Sequence, residues 1–137
     1  MPRLDRILET ALYVDDMARA RAFYVDVMGL DVGFGDDRLT GLPVGGTSML
    51  LLFKRGSTVQ TVRMPGGTIP PHDGSGPVHF AFGVASDELP AWEARLAEKG
   101  VAIEGRTRWP KGGLSIYFRD PDGHLVELAT PGLWSVW

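Results

Sequence analysis

One block of this sequence occurs twice. ETALYV at residues 9–14 matches HFAFGV at residues 79–84, seventy positions later, and each is followed by an acidic turn and a run of apolar residues at helical spacing. In the first copy, residues 7–14 (ILETALYV) read as a strand with Ile7, Glu9, Ala11 and Tyr13 on one face and the more apolar Leu8, Thr10, Leu12 and Val14 on the other. Asp15 or Asp16 can cap a helix that buries Met17, Ala20, Phe23, Tyr24, Val27 and Met28 and ends at Gly29. In the second copy, Val78, Phe80, Phe82 and Val84 alternate with His79, Ala81 and Gly83. Ser86 or Asp87 offers the next cap, Pro90 suits a first turn, and Leu89, Trp92 and Leu96 form a stripe that ends at Gly100. A strand–helix unit in tandem restricts the chain to folds that pair two like halves.

Strands complete each copy. In the first, Gly-rich turns around Leu39 to Gly46 lead into SMLLLF (48–53), and a shorter run follows from Thr58 to Arg63. In the second, a short run from Val101 to Ile103 precedes LSIYFR (114–119) and HLVELA (124–129). The last two flank Asp120-Pro121-Asp122-Gly123, a hairpin signal because Pro sets an early φ and Gly supplies a positive one. The predicted organisation is α+β, β-α-β-β-β twice: one module over about 5–63, a Gly/Pro-rich linker over 64–77, a second module over about 78–130, and a tail over 131–137.

Composition narrows the chemistry. The chain has 137 residues, 14 basic and 17 acidic side chains, three His and no Cys. That length suits one domain with its own core. A formal charge of −3 argues against a nucleic-acid platform. The absence of Cys excludes disulfides, thiol nucleophiles, iron–sulfur clusters and thiolate zinc sites, so a bound metal must use His, Asp, Glu and water. The apolar runs, such as Met49 to Phe53, are too short for a membrane span, and the first ten residues lack a secretory h-region, which makes cytoplasm the default location. GxGxxG, Walker, HExxH and GxSxG motifs are all missing.

Three residues share a pattern. Glu9 lies mid-strand among apolar neighbours, where a carboxylate is costly unless paired or bound to a cation. His79 holds the matching position and face in the second copy, and Glu127 shares its face with Leu125 and Ala129. The related strand of the first copy places Leu51 at the position of Glu127. If the copies pack as a pseudo-symmetric pair, Glu9, His79 and Glu127 converge, and one imidazole with two carboxylates suits Zn, Mn, Fe, Ni or Co. Each residue alone has an ordinary reading, as a hydrogen-bonded strand histidine or an edge glutamate facing water. Their equivalent positions in the two copies favour the site.

Three segments carry a resemblance: LETALYVDDMARARAFYVDVMGL, GPVHFAFGV and SIYFRDPDGHLVEL. With them the chain resembles the vicinal oxygen chelate superfamily, the group of glyoxalase I, fosfomycin-resistance proteins, extradiol dioxygenases and bleomycin-binding proteins. The resemblance implies paired βαβββ modules forming a cup-shaped sheet with helices outside and a divalent metal within. It also implies a homodimer in which Glu9 comes from one chain, and His79 with Glu127 from the other. The substrate would be a small molecule chelated through adjacent oxygens, with Glu9 or Glu127 serving as base.

The family's chemistries fit unequally. The glyoxalase I pattern has a fourth ligand where this chain has Leu51. The dioxygenase signature runs intact from Tyr117 through Asp120, Pro121 and Gly123 to Glu127, yet its upstream His is absent from RTRWPKGGLSI and the first ligand is Glu. Fosfomycin-type transferases use three ligands and a basic, hydroxyl-bearing pocket, for which Arg108, Lys111, Arg119 and Tyr117 are candidates. The alternative for Arg108 and Lys111 is a solvated loop, and for Arg119 an exposed hairpin end. Bleomycin-type binders use aromatic grooves, for which Trp109, Trp134 and Trp137 qualify, although simple packing of a C-terminal arm suits the last two. His72 reads as a loop histidine or a general base, and His124 as a support for its turn.

Overall fold

The computed structural model describes all residues, Met1–Trp137. Its contacts divide the chain into two compact units, Met1–Ser75 and Gly76–Trp137. No helix is long and apolar enough to cross a membrane.

In the first unit, β1 (Glu9–Val14) leads into α1 (Met17–Ala22), then β2 (Phe34–Gly35), β3 (Leu39–Val44) and β4 (Ser48–Lys54). The sheet order is β1-β4-β3-β2, with β1 parallel to β4 and the other pairs antiparallel. Asp16 caps α1 by accepting from the Arg19 N–H. The chain then widens into a π-helical turn over Phe23–Val27, where the Met28 N–H reaches back to the Phe23 carbonyl, and Gly29 closes it with a φ of 73°. Leu12, Val14, Leu42, Leu50 and Leu52 are buried on the sheet face that meets this helix. Thr40 donates there to the Met17 sulfur.

The second unit repeats the plan. β7 (His79–Gly83) is followed by a 3₁₀ turn, α2 (Leu89–Glu98), β8 (Gly105–Arg108), β9 (Leu114–Arg119) and β10 (Leu125–Ala129), in the order β7-β10-β9-β8. β7 lies parallel to β10, as β1 lies to β4. Ile116, Phe118, Val126 and Leu128 are buried on one face of this sheet.

Four local readings change. Residues 39–44, expected as turns, form β3, because Gly41 and Pro43 mask a segment whose middle residues are buried. The short strand expected at 101–103 starts instead at Gly105, where the ladder to β9 begins. The 3₁₀ turn Ser86–Glu88 precedes α2, so neither Ser86 nor Asp87 caps that helix through its side chain. The stretch expected to link the copies carries a hairpin, β5 (Val62–Met64) with β6 (Gly67–Ile69), within the first unit. Its two strands are three residues each, too short to announce themselves by period, and Pro65, Gly66 and Gly67 dominate the local signal.

The turn between β9 and β10 is built from side chains. Asp120 is buried, and its Oδ1 accepts from the N–H groups of Asp122 and His124. His124 is also buried, and its Nδ1 accepts from the Val78 N–H at 3.0 Å, which ties the turn to the start of β7. This fits the support role expected for His124. We predict that Asp120→Ala costs about 2–3 kcal/mol, because two buried N–H groups lose a charged acceptor, and that Asp120→Asn costs less. Urea midpoints for the two variants measure this; an unchanged midpoint in the Ala variant would show that the turn closes without the carboxylate.

Candidate functional site

Strand register decides which side chains meet. Leu125 pairs with His79 and Arg119, and Glu127 pairs with Ala81 and Tyr117. His79, Glu127, Tyr117 and Ser115 therefore share the face opposite the buried Ile116, Phe118, Val126 and Leu128. On that face the Glu127 carboxylate is buried, while the His79 side chain is 50% exposed.

Hydrogen bonds fix both groups. His79 Nδ1 lies 3.0 Å from the Leu125 carbonyl oxygen, which can only accept, so Nδ1 carries a proton. Nε2 of the same ring lies 3.3 Å from Glu127 Oε1. The other carboxylate oxygen, Oε2, accepts from the Ser115 hydroxyl at 2.9 Å, and Ser115 Oγ accepts from the Trp109 indole N–H at 2.8 Å. Trp109, Ser115 and Glu127 thus form a relay in which every donor and acceptor is assigned. With the imidazole neutral, Nε2 presents a lone pair toward a carboxylate oxygen. Two acceptors at that separation suit a cation or a proton held between them. The Tyr117 ring lies beside His79, with centroids 6.2 Å apart.

The remaining expected residues separate. Trp109 is engaged through its N–H as the first member of the relay rather than as a free aromatic surface. Arg108 pairs with Leu114 in register, is exposed, and lies on the sheet face away from Glu127. Arg119 is drawn to the hairpin end, where its guanidinium meets the Glu104 carboxylate at 3.4 Å and the Gly123 carbonyl at 3.1 Å. A place beside the substrate for Arg108 therefore finds no support in this geometry, and Arg119 reaches the pocket only by giving up those partners. Lys111 is exposed in the β8–β9 turn. Ser115 was missed because its signal, two residues before Tyr117 on the same face, is visible only once Glu127 is placed opposite.

Glu9 belongs to the first unit. It is exposed at the start of β1, pairs in register with Met49, and makes no hydrogen bond or ion pair within the protein. Leu51 lies two residues beyond Met49, as Glu127 lies two beyond Leu125, so Leu51 does occupy the position of Glu127. Within one chain no three His, Asp or Glu side chains gather into a group that could hold an ion.

Glu9 also lines a cavity of about 550 Å³ on the open face of the first sheet. Phe34, Leu39, Met49, Leu51 and Phe53 form its floor, and Val62 and Ile69 of the β5–β6 hairpin form a wall. His72, read as a loop histidine or a general base, is in the loop that follows β6 and also lines this cavity. Its Nδ1 is 2.6 Å from the Tyr13 hydroxyl and its ring meets Phe53 edge-on at 4.7 Å. Burial, and then the nearby Asp73 carboxylate, push the Tyr13 hydroxyl above its ordinary pKa of 10.0, so it stays protonated at neutral pH.

The tail lies against its own unit. Gly113 and Gly132 touch backbone to backbone, and the Trp137 ring covers Gly83, 3.3 Å from where a Cβ would stand. Trp134 and Trp137 nonetheless remain more than 70% exposed.

Known proteins match this architecture. The protein from Bacillus licheniformis named metallothiol transferase FosB is 47% identical over 53 residues, 38% of this chain and 34% of that protein, so the match spans about a third of the relative's length. A metallothiol transferase FosB of Staphylococcus saprophyticus is 30% identical over 118 residues, covering 85% of this chain and 71% of that protein. The crystal structure of lactoylglutathione lyase from Agrobacterium tumefaciens superposes with a TM-score of 0.88 at 36% identity, covering 98% of this chain and 99% of that one. The family profile described as Glyoxalase/Bleomycin resistance protein/Dioxygenase superfamily matches residues 6–128, from before β1 into β10. With both strand–helix units inside that match, the chain belongs to the glyoxalase/bleomycin resistance protein/dioxygenase superfamily.

Proposed function

We propose that this protein is a divalent-metal-dependent enzyme acting on a small substrate, with fosfomycin-type transferase chemistry favoured over lyase chemistry. His79 and Glu127 of one chain would hold the ion together with Glu9 of a second copy in a homodimer. One observation carries the reading: His79 Nε2 faces Glu127 Oε1 at 3.3 Å while each group is anchored from behind, by the Leu125 carbonyl and by Ser115. Such backing is what orients metal-binding side chains. Three ligands with open positions suit Zn, Mn, Fe, Ni or Co. The choice of transferase rests on Leu51, which cannot supply the fourth ligand of the lyase pattern, and on the relatives named metallothiol transferase.

When bound, the ion would supply Lewis acidity to two adjacent substrate oxygens as charge develops on them. The chain's own groups divide the remaining work. Ser115 holds Oε2 of Glu127, so Oε1 stays directed at the site. Glu9 or Glu127, once released from the ion, would be the carboxylate that accepts a proton. Tyr117, with its ring beside His79, offers a hydroxyl to orient a polar substrate group.

Elemental analysis of protein purified without chelator should find about one divalent ion per chain. Glu9→Ala and His79→Ala should each lower metal affinity at least about tenfold, and Ser115→Ala about tenfold through loss of positioning. Full metal content in both Ala variants at the ligand positions would overturn the assignment. Sharing between chains has its own test. Neither single variant should show activity, whereas a mixed dimer of Glu9→Ala with His79→Ala should recover one intact site of two. Mixing that restores nothing, in a preparation shown to exchange subunits, would place all ligands in one chain.

A further inference from the structure

We propose that the cavity of the first unit binds the organic body of the substrate, and that this body is aromatic or branched aliphatic and carries an anionic group. The inference deepens the metal-site reading, on which it rests for the role of Glu9, by naming the substrate class. The cavity's volume of about 550 Å³ is within the usual range for small-molecule pockets. Its floor is the sheet face that the helix does not cover, where Met49, Leu51 and Phe53 stand between the core and the hairpin. Leu51 thereby gains a purpose: in the first copy it supplies apolar wall where the second copy supplies a ligand.

The polar groups at this cavity point to the head group. The Arg38 guanidinium lines it and makes no hydrogen bond or ion pair within the protein. The nearby Asp36 carboxylate accepts from the backbone N–H groups of Leu39 and Arg38, which hold it below its ordinary pKa with a smaller contribution from the Arg38 charge, and it forms no ion pair with the guanidinium. His72 also lines the cavity, with Nδ1 2.6 Å from the Tyr13 hydroxyl and Nε2 without a partner in the protein. A guanidinium beside an apolar floor selects an anion attached to an apolar group. Glu9 is the one carboxylate lining the cavity, and in the metal-site reading a cation neutralises it.

Two fluorescent probes with one body separate the parts of this claim: 8-anilinonaphthalene-1-sulfonate, and N-phenyl-1-naphthylamine, which lacks the sulfonate. Zinc-loaded protein should bind one molecule of either per chain. Arg38→Gln should weaken the sulfonate probe about tenfold and leave the neutral one within about twofold, whereas Arg106→Gln, in the other unit, should change neither. Ala11→Phe, which fills the cavity, should weaken both, and Ile69→Glu on the exposed hairpin should do the same without touching the core. Equal effects of Arg38→Gln on the two probes would overturn the anionic head group. Unchanged binding of both probes in Ala11→Phe and Ile69→Glu, or no binding to the wild type, would overturn the cavity. The neutral probe is also titrated with chelator present. Its failure beside full metal content counts against this inference alone, and its success beside absent metal counts against the metal site alone.

Discussion

An imidazole can offer a lone pair on one nitrogen only while its proton is held on the other. In this protein the Leu125 carbonyl performs that service for His79, and it can do so because β7 and β10 lie parallel with His79 and Leu125 in register. The same register places Glu127 two residues further on the same face. The antiparallel pairing of β10 with β9 then brings Ser115 and Tyr117 to that face. Slipping β10 by one residue against both neighbours would turn Glu127 into the core and separate it from His79 and Ser115. The chemistry is therefore held by the sheet rather than by a loop.

The two units show how a duplicated scaffold diverges. Their strand orders and parallel pairings are the same, and Glu9 with Leu51 in one corresponds to His79 with Glu127 in the other. One open face became a polar relay of Trp109, Ser115 and Glu127. The other became an apolar chamber walled by a hairpin, with an arginine and a tyrosine-bound histidine among its lining residues. Divergence of this kind gives each sheet face its own chemistry without altering the fold.

Much of the architecture was legible because burial imposes period on sequence. Alternation in residues 9–14 and 79–83, the glycines that stop both helices, and the DPDG turn all carry local signals strong enough to read. His79 was readable as the counterpart of Glu9 from the repeat, whereas its contact with Glu127 follows from the β7–β10 register. What escaped is governed by contacts distant in sequence. The β5–β6 hairpin has strands too short to show a period, and its role follows from the cavity it walls. His72 finds Tyr13 fifty-nine residues away, and Ser115 gains meaning only across the ladder from β10. Arginines mislead most, because their long side chains follow local carboxylates, as Arg119 follows Glu104.

The central claim is that the Nε2 lone pair of His79 is available for a cation. Nitrogen-15 NMR of the His79 ring, in metal-free protein and during addition of Zn²⁺, measures it directly. In mildly alkaline buffer the account predicts a proton on Nδ1, none on Nε2, and a large shift of the Nε2 resonance as zinc is added. A ring protonated at Nε2, with resonances unmoved by a full equivalent of zinc, would contradict it.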